Sequence, residues 1–323
     1  MAQPKVVVTG GAGFIGSHMV DALIEEADVL AIDNLTAGRE ENLRAAREAG
    51  ATFRKEDLLH ADLGPIVRGA EAVYHFAANP DVRLGPEGTM PLVDQNILAT
   101  YRVLEACRAA KVPKIVFTST STIYGEATTV PTPEDYAPLE PISVYGASKL
   151  ADEALLSAYA HTFGIQAVIF RLANVVGGRS GHGVVVDFVR KLARDPRRLE
   201  ILGSDPGTAK SYVYIDDTVA GIAAGVRAAK APVTVYNLGS EDTITVRALA
   251  DAVCHALGRT GVEYRWTGGA GSGRGWAGDV RVMQLAVDRL RSTGWRPRLS
   301  SEAAIRAAAK DASTSVRSTK AKA

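Results

Sequence analysis

The stretch that decides the fold begins near the start of the chain and runs Val6-Val7-Val8-Thr9-Gly10-Gly11-Ala12-Gly13-Phe14-Ile15-Gly16-Ser17-His18. Its β-branched run at 6–8 predicts a buried strand, and the glycines that follow predict a tight turn into a helix. Such an arrangement places the phosphates of a ligand over a helix N-terminus. A purely structural turn would need similar glycines, so the interpretation depends on the rest of the sequence.

Composition excludes several classes of protein. The 323 residues are 46% hydrophobic, which is enough for one large domain or two unequal ones. With 37 basic and 36 acidic residues the net charge is +1, so we expect no nucleic-acid partner. No apolar run approaches ~18 residues and no signal-peptide core precedes the first strand, so we expect a cytoplasmic protein without a membrane span. Cys107 and Cys254 are predicted to be buried free thiols.

Apolar runs alternate with helical patterns through the first half of the chain. The predicted strands are 5–9, 28–33, 51–54, 71–76, 114–119 and 165–170. This order predicts an α/β fold with a doubly wound parallel sheet and helices on both faces. Ligands bind such sheets at the carboxyl ends of the strands, where polar and small residues gather in this sequence.

The regular alternation of apolar runs and helical patterns ends after residue 172, where a glycine-rich loop precedes a helical run at 184–194. Strand-like runs at 212–216 and 234–238 and a helix at 245–257 follow. We therefore predict a dinucleotide-binding domain over 1–172 plus about 212–240, interleaved with a smaller α/β substrate domain. That second domain is predicted over 173–211 plus 241–310. Residues 311–323 carry almost no bulky apolar side chain and are expected to form a frayed tail.

Asp33 ends the second predicted strand, about 20 residues past the glycines. A carboxylate at this spacing accepts both ribose hydroxyls of NAD and repels the 2′-phosphate of NADP. We therefore expect NAD as the cofactor, although Asp33 would also suit the start of a turn. Asp57 and Leu58, after the third strand, are expected to flank adenine, and a plain turn is the alternative there.

Tyr145 and Lys149 form the most informative pair. Pro141 and Ser143 suit a helix start, and residues four apart then share one helix face. An ammonium near a phenol favours the phenolate, so the pair predicts a base that works near neutral pH. Such a pair also occurs by chance, and it gains weight from the nucleotide-binding turn upstream.

Five consecutive hydroxyl residues, 118–122, lie at the end of the fifth predicted strand. Buried hydroxyls need hydrogen-bond partners, so this run is poor core material. We expect one hydroxyl to contact a substrate hydroxyl that undergoes proton transfer, and the other four to cap and satisfy the turn.

Over residues 4 to about 300 the chain resembles the extended short-chain dehydrogenase/reductases. Within that group it resembles the NAD-dependent nucleotide-sugar epimerases of the UDP-glucose 4-epimerase type. The resemblance lies in Thr9–Gly16, Asp33-Asn34-Leu35 with Gly38-Arg39, His75-Phe76-Ala77-Ala78, Asn96, Tyr124-Gly125, Tyr145 with Lys149, and Arg171-Leu172-Ala173-Asn174. It implies a Rossmann-type fold and the interconversion of UDP-glucose and UDP-galactose by transient oxidation at C4.

The resemblance also implies roles for individual residues. Thr120 and Tyr145 would be catalytic, and Lys149 would hold the nicotinamide ribose and tune Tyr145. The positions that match an NAD-lining residue of the family are Gly10, Gly13, Phe14, Ile15, Asp33, Asn34, Gly38, Asp57, Leu58, Ala77, Ala78, Asn96, Tyr145 and Lys149.

For the substrate diphosphate, the resemblance implies Asn174 and two basic residues. Lys210 takes a place where arginine is usual, and lysine lacks the bidentate fork of arginine. Trp276 occupies the position of the family's late arginine, so we expect Arg274 to take over that role. Trp276 would then pack against uracil or lie on a surface loop.

Several alternatives remain open. A nucleotide-sugar 4,6-dehydratase would carry an Asp-Glu pair where this chain has Ser121 and Thr122. A 4-epimerase of UDP-N-acetylhexosamines or UDP-uronic acids is harder to exclude, since Arg83 and Arg179 could serve a carboxylate. A non-catalytic nucleotide-sensing protein of the same fold is the alternative outside enzymes.

The resemblance further implies a homodimer through the predicted helices 93–110 and 146–163. Both segments carry apolar and small residues on more than one face. Burial of these faces against the sheet alone is the competing interpretation.

Overall fold

A computed structural model describes residues 3–82, 88–270, 274–276 and 278–320, and the side chains of these ranges as far as residue 315. The strands are β1 (Lys5–Thr9), β2 (Asp28–Asp33), β3 (Thr52–Lys55), β4 (Ala72–His75), β5 (Lys114–Thr120), β6 (Gln166–Leu172), β7 (Asn174–Val176), β8 (Arg198–Ile201), β9 (Ala209–Lys210), β10 (Tyr212–Tyr214), β11 (Val233–Leu238), β12 (Ile244–Thr245), β13 (Glu263–Trp266) and β14 (Val282–Met283). The α-helices are α1 (Phe14–Leu23), α2 (Arg44–Glu48), α3 (Leu63–Val67), α4 (Met90–Leu92), α5 (Ala99–Ala110), α6 (Val144–Phe163), α7 (Val184–Arg194), α8 (Ile215–Ala228), α9 (Val246–Ala256), α10 (Asp288–Arg291) and α11 (Ser301–Lys320). A π-helical segment, Val93–Leu98, leads directly into α5.

Seven strands form one parallel sheet in the order β11-β6-β5-β4-β1-β2-β3. β1 lies between β2 and β4, so that Thr9 is opposite both Ile32 and His75. Because the strands are parallel, the residues that follow each of them meet at the same edge of the sheet. The predicted fold class is confirmed, and the six strands predicted in the first half are all present.

The chain forms two compact units. The first comprises Met1–Ile123, Ser143–Arg171 and Ile222–Tyr236. Its core contains strand residues such as Val7, Ile32 and Phe117, packed with Leu104 of α5 and Leu156 of α6. The β-branched and aromatic composition of these strands suits a sheet that is covered on both faces.

The second unit comprises Tyr124–Ile142, Leu172–Gly221 and Asn237–Ala323. Its strands form small sheets in which β10 pairs with β7, β13 pairs with β8, and β9 lies between β12 and β14. Phe188 of α7, Val253 of α9 and Ile305 of α11 share its core. Cys107 and Cys254 are free and buried, as predicted. Among the described residues, no helix combines the length and the apolar character needed to cross a membrane.

Three segments lie in a different unit from the one that we predicted. Residues 124–142, 212–221 and 237–240 belong to the second unit rather than to the dinucleotide-binding one. Hydrogen bonds to Asn237 explain why residues 124–142 belong to the second unit. The Asn237 side chain accepts a hydrogen bond from the Tyr124 hydroxyl at 2.8 Å and donates one to the Thr132 carbonyl at 2.9 Å. Hydrogen bonds between residues so distant in sequence leave no hydrophobic pattern to recognise.

The prediction of a frayed tail is wrong for residues 311–320, because α11 continues to Lys320. Residues 321–323 lie outside the described residues. Within the helix, Ala308 and Ala309 are buried, and Asp311 accepts a hydrogen bond from the Tyr214 hydroxyl at 2.9 Å. A segment of small residues can pack closely without bulky apolar side chains, which composition alone did not indicate.

This contact yields a stability prediction. Replacing Asp311 by Ala should lower the free energy of unfolding by about 1–2 kcal/mol, because the Tyr214 hydroxyl loses its partner. Lys310→Ala on the same helix is the control, since Lys310 is exposed. Urea denaturation measures both variants. Equal stability of the two variants would contradict the packing of α11 against β10.

Candidate active site

The turn from β1 to α1 is built so closely that two of its glycines cannot be replaced. Gly10 has a φ of +66°, and a Cβ atom there would lie 2.6 Å from the Ala77 backbone nitrogen. A Cβ atom on Gly16 would lie 2.1 Å from the Gly10 carbonyl oxygen. Gly13 precedes α1 in extended conformation, without a capping side chain. The first backbone N–H groups of α1 are therefore free of steric cover, which suits a pyrophosphate.

Asp33 lies at the end of β2, next to this turn. Its Oδ2 accepts a hydrogen bond from the Ala12 nitrogen at 3.1 Å, and its Oδ1 accepts one from Leu35 at 2.7 Å. Burial raises the pKa of Asp33, while these backbone hydrogen bonds oppose the rise. A Cβ atom on Gly38 would lie 2.8 Å from both carboxylate oxygens. The glycine leaves open the space that a bound ribose would fill, so these residues fit NAD.

Asn34, Asp57 and Leu58 lie at the adjoining strand ends. The Asn34 amide donates to Asp57 Oδ2 at 3.2 Å, and Leu58 is buried. Asp57 Oδ1 also accepts a hydrogen bond from the Leu59 nitrogen at 2.9 Å, and this bond lowers the pKa of Asp57. Asp57 thus caps a turn, as the simpler interpretation had it, and its adenine-flanking role stays a prediction.

Ala77, Ala78, Phe14 and Ile15 are all partly exposed around the same edge. Asn96 differs from them, because it is buried and its amide is engaged by protein groups. Its Oδ1 accepts from the Asn79 nitrogen at 2.7 Å, and its Nδ2 donates to the Ser148 hydroxyl at 2.8 Å. The side chain of Asn96 therefore fixes the loop after β4 to the start of α6, rather than presenting a free amide.

Tyr145 lies in the first turn of α6, where Ser143 caps the helix by accepting a hydrogen bond from the Gly146 nitrogen at 3.1 Å. Burial raises the pKa of Tyr145 to about 12, a hydrogen bond with Thr120 lowers it, and the charge of Asp152 raises it further. Our expectation of a lowered pKa for Tyr145 is therefore wrong. Thr120 lies within hydrogen-bond reach of the phenol, which holds its proton at neutral pH.

Lys149 is buried one turn further along α6. Its Nζ lies 3.2 Å from Asp152 Oδ2 and 3.8 Å from the centre of the Phe117 ring. Burial lowers the pKa of Lys149, and Asp152 opposes this effect. Sequence reasoning missed Asp152, although a carboxylate three residues after a lysine on one helix face is a recognisable pattern.

His75, which the family resemblance included without a role, is fully buried at the end of β4. The Thr9 hydroxyl lies 2.7 Å from its Nδ1, and the Thr100 hydroxyl lies 3.0 Å from its Nε2. Burial and the charge of Lys149 lower the pKa of His75 to about 3. The neutral ring thus links β1 and α5 behind the site.

The residues expected to bind the diphosphate lie in the second unit. Lys210 forms an ion pair with Asp279, whose other oxygen accepts from the Gly275 nitrogen at 3.3 Å. Arg274 forms an ion pair with Glu126 at 2.6 Å. Asp279 thus connects Lys210 to the loop that carries Arg274, and the two cations belong to one cluster.

The remaining candidates are less closely tied to this cluster. The Asn174 amide donates to the carbonyl of Ser211, between β9 and β10, at 3.0 Å. Trp276 is partly buried, whereas Arg179 and His182 are exposed. Arg83 lies outside the described residues.

Comparison with known proteins identifies the family to which this chain belongs. A family model described as the NAD dependent epimerase/dehydratase family matches residues 6–239. A putative UDP-glucose 4-epimerase of Methanocaldococcus jannaschii is 32% identical over 93% of this chain and 96% of its own length.

Two solved structures are similar over nearly the whole chain. A UDP-galactose 4-epimerase is 40% identical, with a TM-score of 0.86 over 97% of this chain and 99% of its own. A UDP-glucuronic acid 4-epimerase from Bacillus cereus, in complex with UDP-glucuronic acid and NAD, is 27% identical. Its TM-score is 0.87 over 96% of this chain and 99% of its own. With the glycine turn, Asp33 and the Tyr145–Lys149 helix in place, the chain belongs to the NAD-dependent epimerase/dehydratase family, as an NAD-dependent nucleotide-sugar 4-epimerase.

Proposed function

We propose that this enzyme interconverts UDP-glucose and UDP-galactose. The observation that carries the proposal is the placement of Thr120, Tyr145 and Lys149 in the same unit as the glycine turn and Asp33. The choice of sugar is supported by the higher identity to the UDP-galactose 4-epimerase, 40%, than to the UDP-glucuronic acid enzyme, 27%.

Tyr145 is the proton-transfer group in this proposal. It takes the proton of the sugar 4-hydroxyl and later returns one, while Thr120 hydrogen-bonds the phenol and aligns it with that hydroxyl. The chemistry that bound NAD would supply is the acceptance of a hydride from C4 and its return to that carbon. The raised pKa of Tyr145 keeps the phenol protonated before a ligand binds. A cationic nicotinamide nearby would favour the phenolate.

The nucleotide end of the substrate needs groups that hold a diphosphate while the sugar turns over. Lys210 and Arg274 provide two positive charges. Lys210 forms an ion pair with Asp279 and Arg274 forms one with Glu126, while Asp279 also accepts a hydrogen bond from Gly275, next to Arg274. We propose that the diphosphate competes with Asp279 and Glu126 for these cations. Lysine contributes charge without a bidentate fork, so Arg274 would set the orientation of the phosphates.

A UDP-N-acetylhexosamine or a UDP-uronic acid is the alternative substrate. Exposed Arg179, with its left-handed backbone at a φ of +65°, is the described candidate for a uronic carboxylate. Dehydration is disfavoured, because Ser121 and Thr122 offer no acid to protonate a leaving hydroxyl. A non-catalytic role is disfavoured by the presence of both Tyr145 and Lys149.

Product analysis tests the substrate assignment. The purified protein with NAD is incubated with UDP-glucose, UDP-N-acetylglucosamine and UDP-glucuronic acid in separate reactions. We expect UDP-galactose to form fastest, because the sugar pocket discriminates by a few contacts worth roughly 10- to 200-fold in rate. Faster conversion of either other sugar would move the assignment to that substrate, and net NADH formation would indicate a dehydrogenase.

Tyr145→Phe tests the proton-transfer role. The variant should lose at least about 100-fold in kcat while NAD binding is retained, because only the phenolic hydroxyl is removed. Tyr159→Phe on the same helix is the matched control; it removes the hydrogen bond from the Tyr159 hydroxyl to Glu105. Near-normal turnover of Tyr145→Phe would contradict the assignment.

We also propose that the enzyme is a homodimer that uses α5 and α6. Leu98 and Tyr101 near the start of α5 are each 44% exposed, and Phe163 at the end of α6 is 49% exposed. Exposed large apolar side chains on these two helices favour an interface there.

Light scattering should therefore give twice the 34.1 kDa chain mass. The double variant Leu98→Glu/Tyr101→Glu should give a single folded chain, because charges at an apolar interface oppose association. Val282→Glu, at an exposed apolar residue of the second unit, is the control and should remain a dimer. A wild-type mass of one chain would refute the dimer.

A further inference from the structure

A buried carboxylate, that of Asp152, lies beside Lys149 of the proposed catalytic pair. Lys149 Nζ is 3.2 Å from Asp152 Oδ2, and the two side chains are 2% and 0% exposed. By distance and angle, neither oxygen of Asp152 has a hydrogen-bond partner among the described residues, although the Thr100 hydroxyl lies close enough to lower the pKa of Asp152. A buried carboxylate held in this way costs stability relative to an apolar residue, so packing alone does not account for Asp152.

The neighbouring Glu153 shows what a structural carboxylate looks like on this helix. Arg171 Nη2 donates to Glu153 Oε2 at 2.8 Å, and Arg171 Nε donates to Glu153 Oε1 at 3.1 Å. This pair joins α6 to β6 through two buried, well-aligned hydrogen bonds. Asp152 is buried to a similar degree but faces Lys149 instead.

We propose that Asp152 is a positioning residue that keeps the Lys149 ammonium charged and in place while Tyr145 exchanges a proton with the sugar. The inference rests on the proposed function of Tyr145 and on the ribose-holding role that the family resemblance implies for Lys149. A buried ammonium tends to lose its proton unless an anion accompanies it. Without its charge, Lys149 would hold the ribose hydroxyls more weakly and would no longer favour the phenolate.

The other groups around Lys149 do not replace this anion. On α6, Glu153 is engaged by Arg171 of β6, and the Tyr145 phenol is protonated at neutral pH. From β4, His75 is neutral, since its pKa is lowered to about 3. From β5, the Phe117 ring favours a cation through its π-face but carries no charge.

The pKa values of the pair agree with this geometry. Burial lowers the pKa of Lys149, and the charge of Asp152 is the largest effect that raises it again. Burial raises the pKa of Asp152, and Lys149 and Thr100 oppose that rise. Removal of the Asp152 charge therefore lowers the pKa of Lys149, so the ammonium is lost at a lower pH.

Asp152→Asn tests the proposal through NAD affinity measured across about pH 6 to 10. In this variant, the dissociation constant for NAD should begin to rise at least about one pH unit below the point where it rises in the wild type. Glu153→Gln is the matched control and should shift the profile much less, because Glu153 is engaged by Arg171 and its charge raises the pKa of Lys149 less than Asp152 does. An unchanged profile in Asp152→Asn, or the same shift in Glu153→Gln, would overturn the proposal. Because NAD binding needs no sugar, a wrong substrate assignment leaves this test intact.

The double variant Lys149→Gln/Asp152→Asn covers the case in which Asp152→Asn does not fold. The proposal predicts that the double variant folds, because no buried ammonium is then left without its anion. A double variant that also fails to fold would show that Asp152 supports the fold independently of Lys149, which contradicts the proposal.

Discussion

The structure depends on the parallel pairing of β1 with β2 on one side and β4 on the other. This register brings Gly10, Asp33 and Ala77 to one edge of the sheet, so closely that a Cβ atom on Gly10 would lie 2.6 Å from the Ala77 nitrogen. Any other residue at position 10 would push β1 and the loop after β4 apart. The same strand pairing therefore holds the glycine turn, the Asp33 carboxylate and the loop after β4 at one edge of the sheet.

A second constraint is electrostatic. The first unit buries Lys149, Asp152, Glu153 and Arg171 near the start of α6, and these four residues form two neutral pairs. Tyr145 is protonated and His75 is neutral in the same region. In the proposed mechanism, the positive charge of oxidised NAD would favour the phenolate of Tyr145.

Much of the fold and of the candidate site could be predicted from the sequence. The β-branched strands and the glycine turn are local patterns, and the spacing of Asp33, Tyr145 and Lys149 follows from strand and helix geometry. The helix at 184–194 was predicted at its observed bounds, Val184–Arg194, because its apolar residues repeat with the helical period.

The features that escaped prediction depend on contacts between distant residues or on burial. Asn237 holds residues 124–142 in the second unit through hydrogen bonds, and Asp311 fixes α11 to Tyr214. The raised pKa of Tyr145 reflects the depth of the site, which spacing does not indicate. Asn96 was expected among the residues lining NAD, but its amide is occupied by Asn79 and Ser148. The pairing of Asp152 with Lys149 depends on which face of α6 is covered.

In the proposed reaction, one hydride leaves C4 of the sugar and returns to the same carbon while the cofactor stays bound. The most direct test is to incubate the enzyme with UDP-glucose that carries deuterium at C4 and to analyse the product by NMR. We expect UDP-galactose that retains the deuterium at C4. Loss of the label to solvent, or its accumulation in free NADH, would contradict it.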